Sequence, residues 1–132
     1  MTDGPNDAWY ALDALRRARK RVAKGWCRYV DARCAEGGPV NIDDLSARKW
    51  SAVGALRLAA YGAEDADPAK PRDFFARQRA YVMAILAFQE AADGPIVPYN
   101  NHSKRTQAQV VAAFDAAIRI TAQRSSKEEE KG

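Results

Sequence analysis

Alanine recurs throughout this chain at spacings of three and four residues, and runs of Val, Ile and Thr are scarce. Alanine loses no side-chain entropy in a helix and is the best helix former, so composition and spacing both point to an all-α fold. The 132 residues suit one domain, and 47% apolar with 29% charged residues is a globular profile. The expected architecture is a compact four-helix bundle over residues 1–124, with a short loop or β-hairpin insert after the first helix. A disordered charged tail is expected over residues 125–132.

Periodicity places the elements. A first helix from Asn6 or Asp7 to about Lys24 carries Ala8, Ala11, Leu15, Ala18 and Val22 on one side, and Gly25 closes it. Residues 26–44 read as irregular, with Trp26–Val30 as a possible short strand returning through Val40. A second helix is expected over Leu45–Tyr61, capped by Asp43, Asp44 or Ser46 and stopped at Gly62. Residues 66–70 form a linker, and Pro71 suits the first turn of a third helix running from about Arg72 to Ala92. Phe74, Phe75, Tyr81, Val82, Ile85, Leu86 and Phe88 give that helix its expected core face. Residues 96–104 read as a loop. Thr106 and Gln109 then form a T-x-x-Q capping box at the start of a fourth helix, whose Asp115 and Arg119 are spaced as an i,i+4 pair.

Several function classes recede. No stretch approaches the roughly 18 apolar residues that span a bilayer. Met1–Asp7 lacks the pattern of a signal peptide, so the cytoplasm is the expected location. Cys27, Cys34 and the single His102 are too few for a zinc site or a disulfide scaffold, and no cofactor is expected.

Three stretches carry a family resemblance: Gly25-Trp26-Cys27, residues 47–56 (Ala-Arg-Lys-Trp-Ser-Ala-Val-Gly-Ala-Leu), and Tyr99-Asn100-Asn101 followed by Arg105-Thr106 and Val110-Val111. Their order and spacing resemble a family of short, uncharacterised bacterial and phage proteins, a domain of unknown function. Typical members read Trp-Cys where this chain has Trp50-Ser51, and Trp-Asn-Asp where it has Tyr99-Asn100-Asn101. A nucleophile at the second cysteine and a carboxylate at the third motif are therefore lost here. The resemblance implies a shared fold and no known activity, and these departures weaken an enzymatic reading.

The expected function is non-catalytic binding of an unknown protein or a small anionic ligand. On a helical second element Arg57 shares a side with Trp50, Gly54 and Tyr61, which suits a planar or anionic ligand. A glycine mid-helix implies that a backbone or a flat ligand comes close there. Gln78 and Gln89 fall within the apolar face of the third helix and must bond to something, with Asn100 a natural member of that network. The candidate pocket is thus Trp26, Trp50, Arg57, Tyr61, Gln78, Gln89, Tyr99 and Asn100. Each has a plainer alternative: a snorkelling arginine, or amides satisfied by loop backbone.

The rival reading is nucleic-acid binding through Arg16, Arg17, Lys20, Arg21 and Lys24 on the outer face of the first helix, in a chain of net charge +4. The plain alternative is a solvated basic face. A membrane-surface role is disfavoured, because the opposite side is mostly alanine and lacks bulky anchors. A thiol enzyme would need Cys27 with His102, and no third group orients that pair.

Overall fold

The computed structural model describes residues 7–62 and 74–131, with side chains described as far as residue 127. The Asn6 cap, the 66–70 linker, Pro71, the Arg72 helix start and the last residue of the tail lie outside the described residues. In chain order the elements are α1 (Asp7–Lys24), β1 (Ala32–Cys34), β2 (Ala47–Trp50), α2 (Ala52–Tyr61), α3 (Phe74–Ala92), α4 (Ile96–Asn101) and α5 (Gln107–Lys131). The protein is mostly helical, with five helices and one small antiparallel sheet among the described residues, rather than the four helices expected. No helix among them is long and apolar enough to cross a membrane.

Helix α1 packs against α2, α3 and α5. It buries Ala8, Ala11, Leu12, Ala14, Leu15, Ala18 and Val22, as the i, i+3, i+4 pattern requires. Most of those residues are small, so the neighbouring helices come close. Phe88, Phe114, Leu15, Leu56 and Val22 fill the centre and are fully buried. Each contributes roughly 1.5–3 kcal/mol of transfer free energy. The end of α1 is closed twice. The Gly25 amide donates to the Arg21 carbonyl at 3.0 Å, and the Gln107 side chain donates to the Val22 carbonyl at 2.7 Å. These bonds satisfy carbonyls that the helix end leaves without partners.

The insert after α1 differs from the expected hairpin. Its strands are 32–34 and 47–50, paired Ala32 with Trp50 and Arg33 with Lys49, with an irregularity after Arg33. Trp26 makes only an isolated bridge to Trp50, and Arg33 another to Pro39. Residues 47–50 therefore belong to a strand and not to the second helix. Their backbone is claimed from both sides: the Trp50 amide donates to the Gly25 carbonyl at 3.0 Å, and its carbonyl accepts from the Cys27 amide at 3.3 Å. Helix α2 starts only after Ser51, whose hydroxyl accepts from the Gly54 amide at 3.0 Å. Asp43, Asp44 and Ser46 do not cap it.

Helix α3 meets the expected core face only in part: Phe88 is fully buried and Tyr81 and Ile85 pack against the core, but the other four expected residues do not. Ala80, Ala84, Ala87 and Phe88 face the core, while Phe74, Phe75, Val82 and Leu86 are exposed. Small residues allow close contact with α1, and of the bulky ones Phe88 is taken inside while Phe74, Phe75, Val82 and Leu86 are left outside. Phe88 meets Phe114 edge-on at 4.8 Å and Tyr99 at 5.7 Å. The expected loop at 96–104 contains the short helix α4, whose first amide, that of Ile96, donates to the Gln89 side-chain oxygen at 3.0 Å.

The capping box forms as read. The Gln109 amide donates to the Thr106 hydroxyl at 3.1 Å, and the Thr106 amide donates to the Gln109 side chain at 3.0 Å. Helix α5 continues through the charged stretch to Lys131 and buries Ser125, where an unstructured tail was expected from 125 onward. Asp115 does not pair along its own helix; it binds Arg19 of α1 at 2.8 Å.

Candidate functional site

The motif residues converge on one buried amide. Asn100, 1% exposed, sits on α4 and reaches across to the insert. Its side-chain oxygen accepts from the Trp26 indole at 2.7 Å and from the Ala52 amide at 3.0 Å. Its nitrogen donates to the Cys27 carbonyl at 3.1 Å and to the Asn101 side-chain oxygen at 3.0 Å. That Asn101 oxygen also accepts from the amide of Tyr29, which adopts a left-handed φ of 74°. Four bonds satisfy the whole capacity of one asparagine. The cluster is a structural junction joining the start of α2, the insert and α4, with no polar atom of Asn100 left for a ligand.

Two arginines brace this junction. Arg28 stacks on Trp26 at 4.5 Å and donates to the Arg105 carbonyl. Arg105 stacks on Tyr99 at 3.6 Å and donates to the Tyr99 carbonyl at 3.0 Å. Neither was singled out by residue-level reading, although Arg105 lies in one of the resemblance motifs.

Arg57 opens onto a different space. A cleft of about 420 Å³ is lined by Asp31, Asn41, Asp43, Arg57, Tyr61 and neighbours. Arg57 donates to Asp31 at 2.7 Å. Its pKa is raised, first by hydrogen bonding to Tyr81 and then by the Asp31 charge. Burial beside Tyr81 raises the Tyr61 hydroxyl as well. Two carboxylates against one guanidinium leave no surplus positive charge for an anion. The close approach expected at Gly54 is real, and it is backbone: a Cβ there would overlap the Asp31 carbonyl oxygen. Gln78 points to solvent, and Gln89 is occupied by the start of α4.

Trp50 opens onto a third space. Its indole donates to the Ile42 carbonyl at 3.0 Å, which fixes the ring. The ring then forms one wall of a groove of about 310 Å³ whose other walls are Arg17, Lys20, Arg21 and Lys24 of α1. The Arg21 guanidinium lies 5.8 Å from the ring centroid. Arg17 is bound to Asp13 at 2.9 Å, whereas Lys20 and Lys24 make no ion pair with a described residue. Arg16 is exposed on the same helix outside the groove. Trp26, Trp50, Arg57 and Tyr99 thus occupy three separate places, and the structure joins Trp50 instead to four of the six basic residues of α1.

The thiol and the imidazole are each engaged with nearby backbone. Cys27 is buried, its thiol donates to the Val30 carbonyl at 3.6 Å, and burial pushes its pKa up, away from the reactive thiolate. The His102 Nδ1 accepts from the Lys104 amide at 3.1 Å. Among the described residues, His, Cys, Asp and Glu nowhere gather in a group of three that could hold a metal.

No curated protein and no solved structure matches this chain. One family model does, over residues 10–120, a span that contains most of α1, the insert, the Asn100 junction and the start of α5. On that coverage the chain belongs to a family of unknown function, DUF6197.

Proposed function

We propose that this chain is a non-catalytic binding protein whose ligand is single-stranded nucleic acid, held in the groove between α1 and Trp50. The observation that carries the reading is the joining of four cationic side chains to an aromatic wall in one concave site. Cations track phosphates, and a ring face stacks bases regardless of their sequence. The groove lies at the end of α1, where Arg21 and Lys24 also oppose the helix dipole; that role accounts for two charges and not for Lys20.

Titrating a labelled oligothymidylate and following its anisotropy tests the proposal. With three to four phosphates neutralised, the slope of log K against log salt should be about −2 to −3. Reversing two charges, Lys20→Glu with Lys24→Glu, should abolish binding at moderate salt. Tryptophan fluorescence should be quenched on binding in the wild type and not in Trp50→Phe. An affinity untouched by the double reversal, or no binding at low salt, refutes the reading. Binding of mononucleotides with equal affinity would assign the site to a small ligand.

A further inference from the structure

Two stretches of the sequence lack Asp and Glu altogether, and the fold brings them together. Residues 14–30 hold seven arginines and lysines, and residues 94–114 hold Lys104 and Arg105. The Gln107 side chain donates to the Val22 and Ala23 carbonyls at 2.7 and 3.3 Å, and Arg28 donates to the Arg105 carbonyl. The end of α1 is thus seated beside the link between α4 and α5. Asp13 and Asp115 reach in from outside and pair with Arg17 and Arg19. Lys20, Lys24, Arg28, Lys104 and Arg105 make no ion pair with a described residue. Arg28 and Arg105 bond to carbonyls, which are neutral, so both keep their full charge on this side of the molecule. Given a strand of nucleic acid in the Trp50 groove, we infer that it does not end there. It crosses the carboxyl end of α1 and continues along Arg28, Arg105 and Lys104, a second half of the site that rests on the groove reading.

Continuity, open passage and prepared cations favour this path. Trp26 and Trp50 are partners in a backbone bridge, so the backbones carrying the two halves adjoin at the roughly 5 Å spacing of paired strands. The last carbonyls of a helix ordinarily repel a phosphate. Here those of Arg21, Val22 and Ala23 are covered by the Gly25 amide and the Gln107 side chain. Beyond them, Arg28 lies 4.5 Å from the centre of the Trp26 ring and Arg105 3.6 Å from that of Tyr99. A guanidinium held on a ring loses little freedom when it takes up a phosphate, and its outer face can stack a base. Lys104, exposed in the turn before α5, adds a third cation to this half.

Fluorescence anisotropy of the full chain with labelled pentathymidylate and dodecathymidylate tests this. The short oligonucleotide should show the groove's slope of about −2 to −3 in log K against log salt. The long one should show about −4 to −5, as up to three more phosphates are neutralised, and should bind at least about tenfold more tightly at low salt. Lys104→Glu, at an exposed position whose side chain has no partner among the described residues, should remove most of that gain and leave the short one unaffected. Lys127→Glu makes the same change of charge about 30 Å from the start of α5 and should alter neither. Equal slopes for the two lengths overturn the inference. So does a Lys104→Glu chain that holds the long one as tightly as the wild type, or a Lys127→Glu chain that loses as much as Lys104→Glu. In each of these cases the groove reading survives if Lys20→Glu with Lys24→Glu still abolishes binding of the short one; a wild type that binds neither oligonucleotide overturns both.

Discussion

Asn100→Asp keeps the shape of the side chain and exchanges its NH₂ group for an oxygen. The two oxygens that accept from that nitrogen, the Cys27 carbonyl and the Asn101 side chain, lie 3.1 and 3.0 Å away. With an ionised aspartate, both bonds become contacts between acceptors. Each buried group left unpaired costs about 1–3 kcal/mol, and a carboxylate taken from water adds a desolvation penalty. Stronger bonds from the Trp26 indole and the Ala52 amide offset part of this. The net loss at neutral pH is predicted at about 3–5 kcal/mol, or roughly 10–20 °C in Tm for a domain of this size.

Protonation reverses much of that loss. A neutral aspartic acid donates one bond, to the Cys27 carbonyl, and still accepts two. Its folded-state pKa therefore lies above the ordinary value of about 3.9. For an acid shifted upward, relative stability is greatest below the unfolded pKa and is lost as pH rises through the folded one. Urea unfolding of the wild type, Asn100→Asp and Asn100→Ala at pH 4 and pH 7.5 checks the sign. The gap between wild type and Asn100→Asp should narrow in acid, and the gap to Asn100→Ala should not. An aspartate variant as stable as the wild type at pH 7.5, or an equal gap at both pH values, refutes the account of the junction.

Three further outcomes follow from the geometry. Gly54→Ala should lower stability by about 2–4 kcal/mol in urea unfolding, because the new methyl meets the Asp31 carbonyl and must push the insert away from α2. Arg57→Ala should lower it by less than about 1 kcal/mol, since the Arg57–Asp31 pair is half exposed. Under native conditions a thiol reagent should label Cys34 first and Cys27 only on unfolding. The raised Cys27 pKa also means its contribution to stability is intact below the unfolded thiol's value of about 8.5 and is lost at higher pH, visible as a falling Tm in alkali.

Local signals were legible where local physics decides. The end of α1 and the T-x-x-Q box each depend on a few adjacent residues. Residues 47–50 were not legible, because Ala, Arg, Lys and Trp continue a helical pattern smoothly. Only pairing with the distant residues 32–34, reinforced by the Gly25 and Cys27 backbone groups at Trp50, turns them into a strand. That single difference moved Trp50 off the side of Arg57 and onto the basic groove. The outward turn of Phe75, Val82 and Leu86 was hidden for another reason. Periodicity locates two opposed faces of α3 but does not say that the alanine face is the inner one. Asn100 was read as joining Gln78 and Gln89; it bonds instead to Trp26, Ala52, Cys27 and Asn101, and Trp26, 74 residues away in sequence, has no local signature.

The alanine-lined centre has a consequence for how this fold tolerates change. Where α1, α2, α3 and α5 touch, many buried side chains are already reduced to a methyl group. Truncation has little left to remove, so an ordinary alanine scan would pass over the most constrained positions in silence. The informative direction is growth. Ala→Val or Ala→Leu at Ala18, Ala55, Ala84 or Ala117 forces helices apart, and overpacking of this kind typically costs about 1–3 kcal/mol. Sequence drift in such a core is bounded from one side only, and the alanines mark how near the helices must stay.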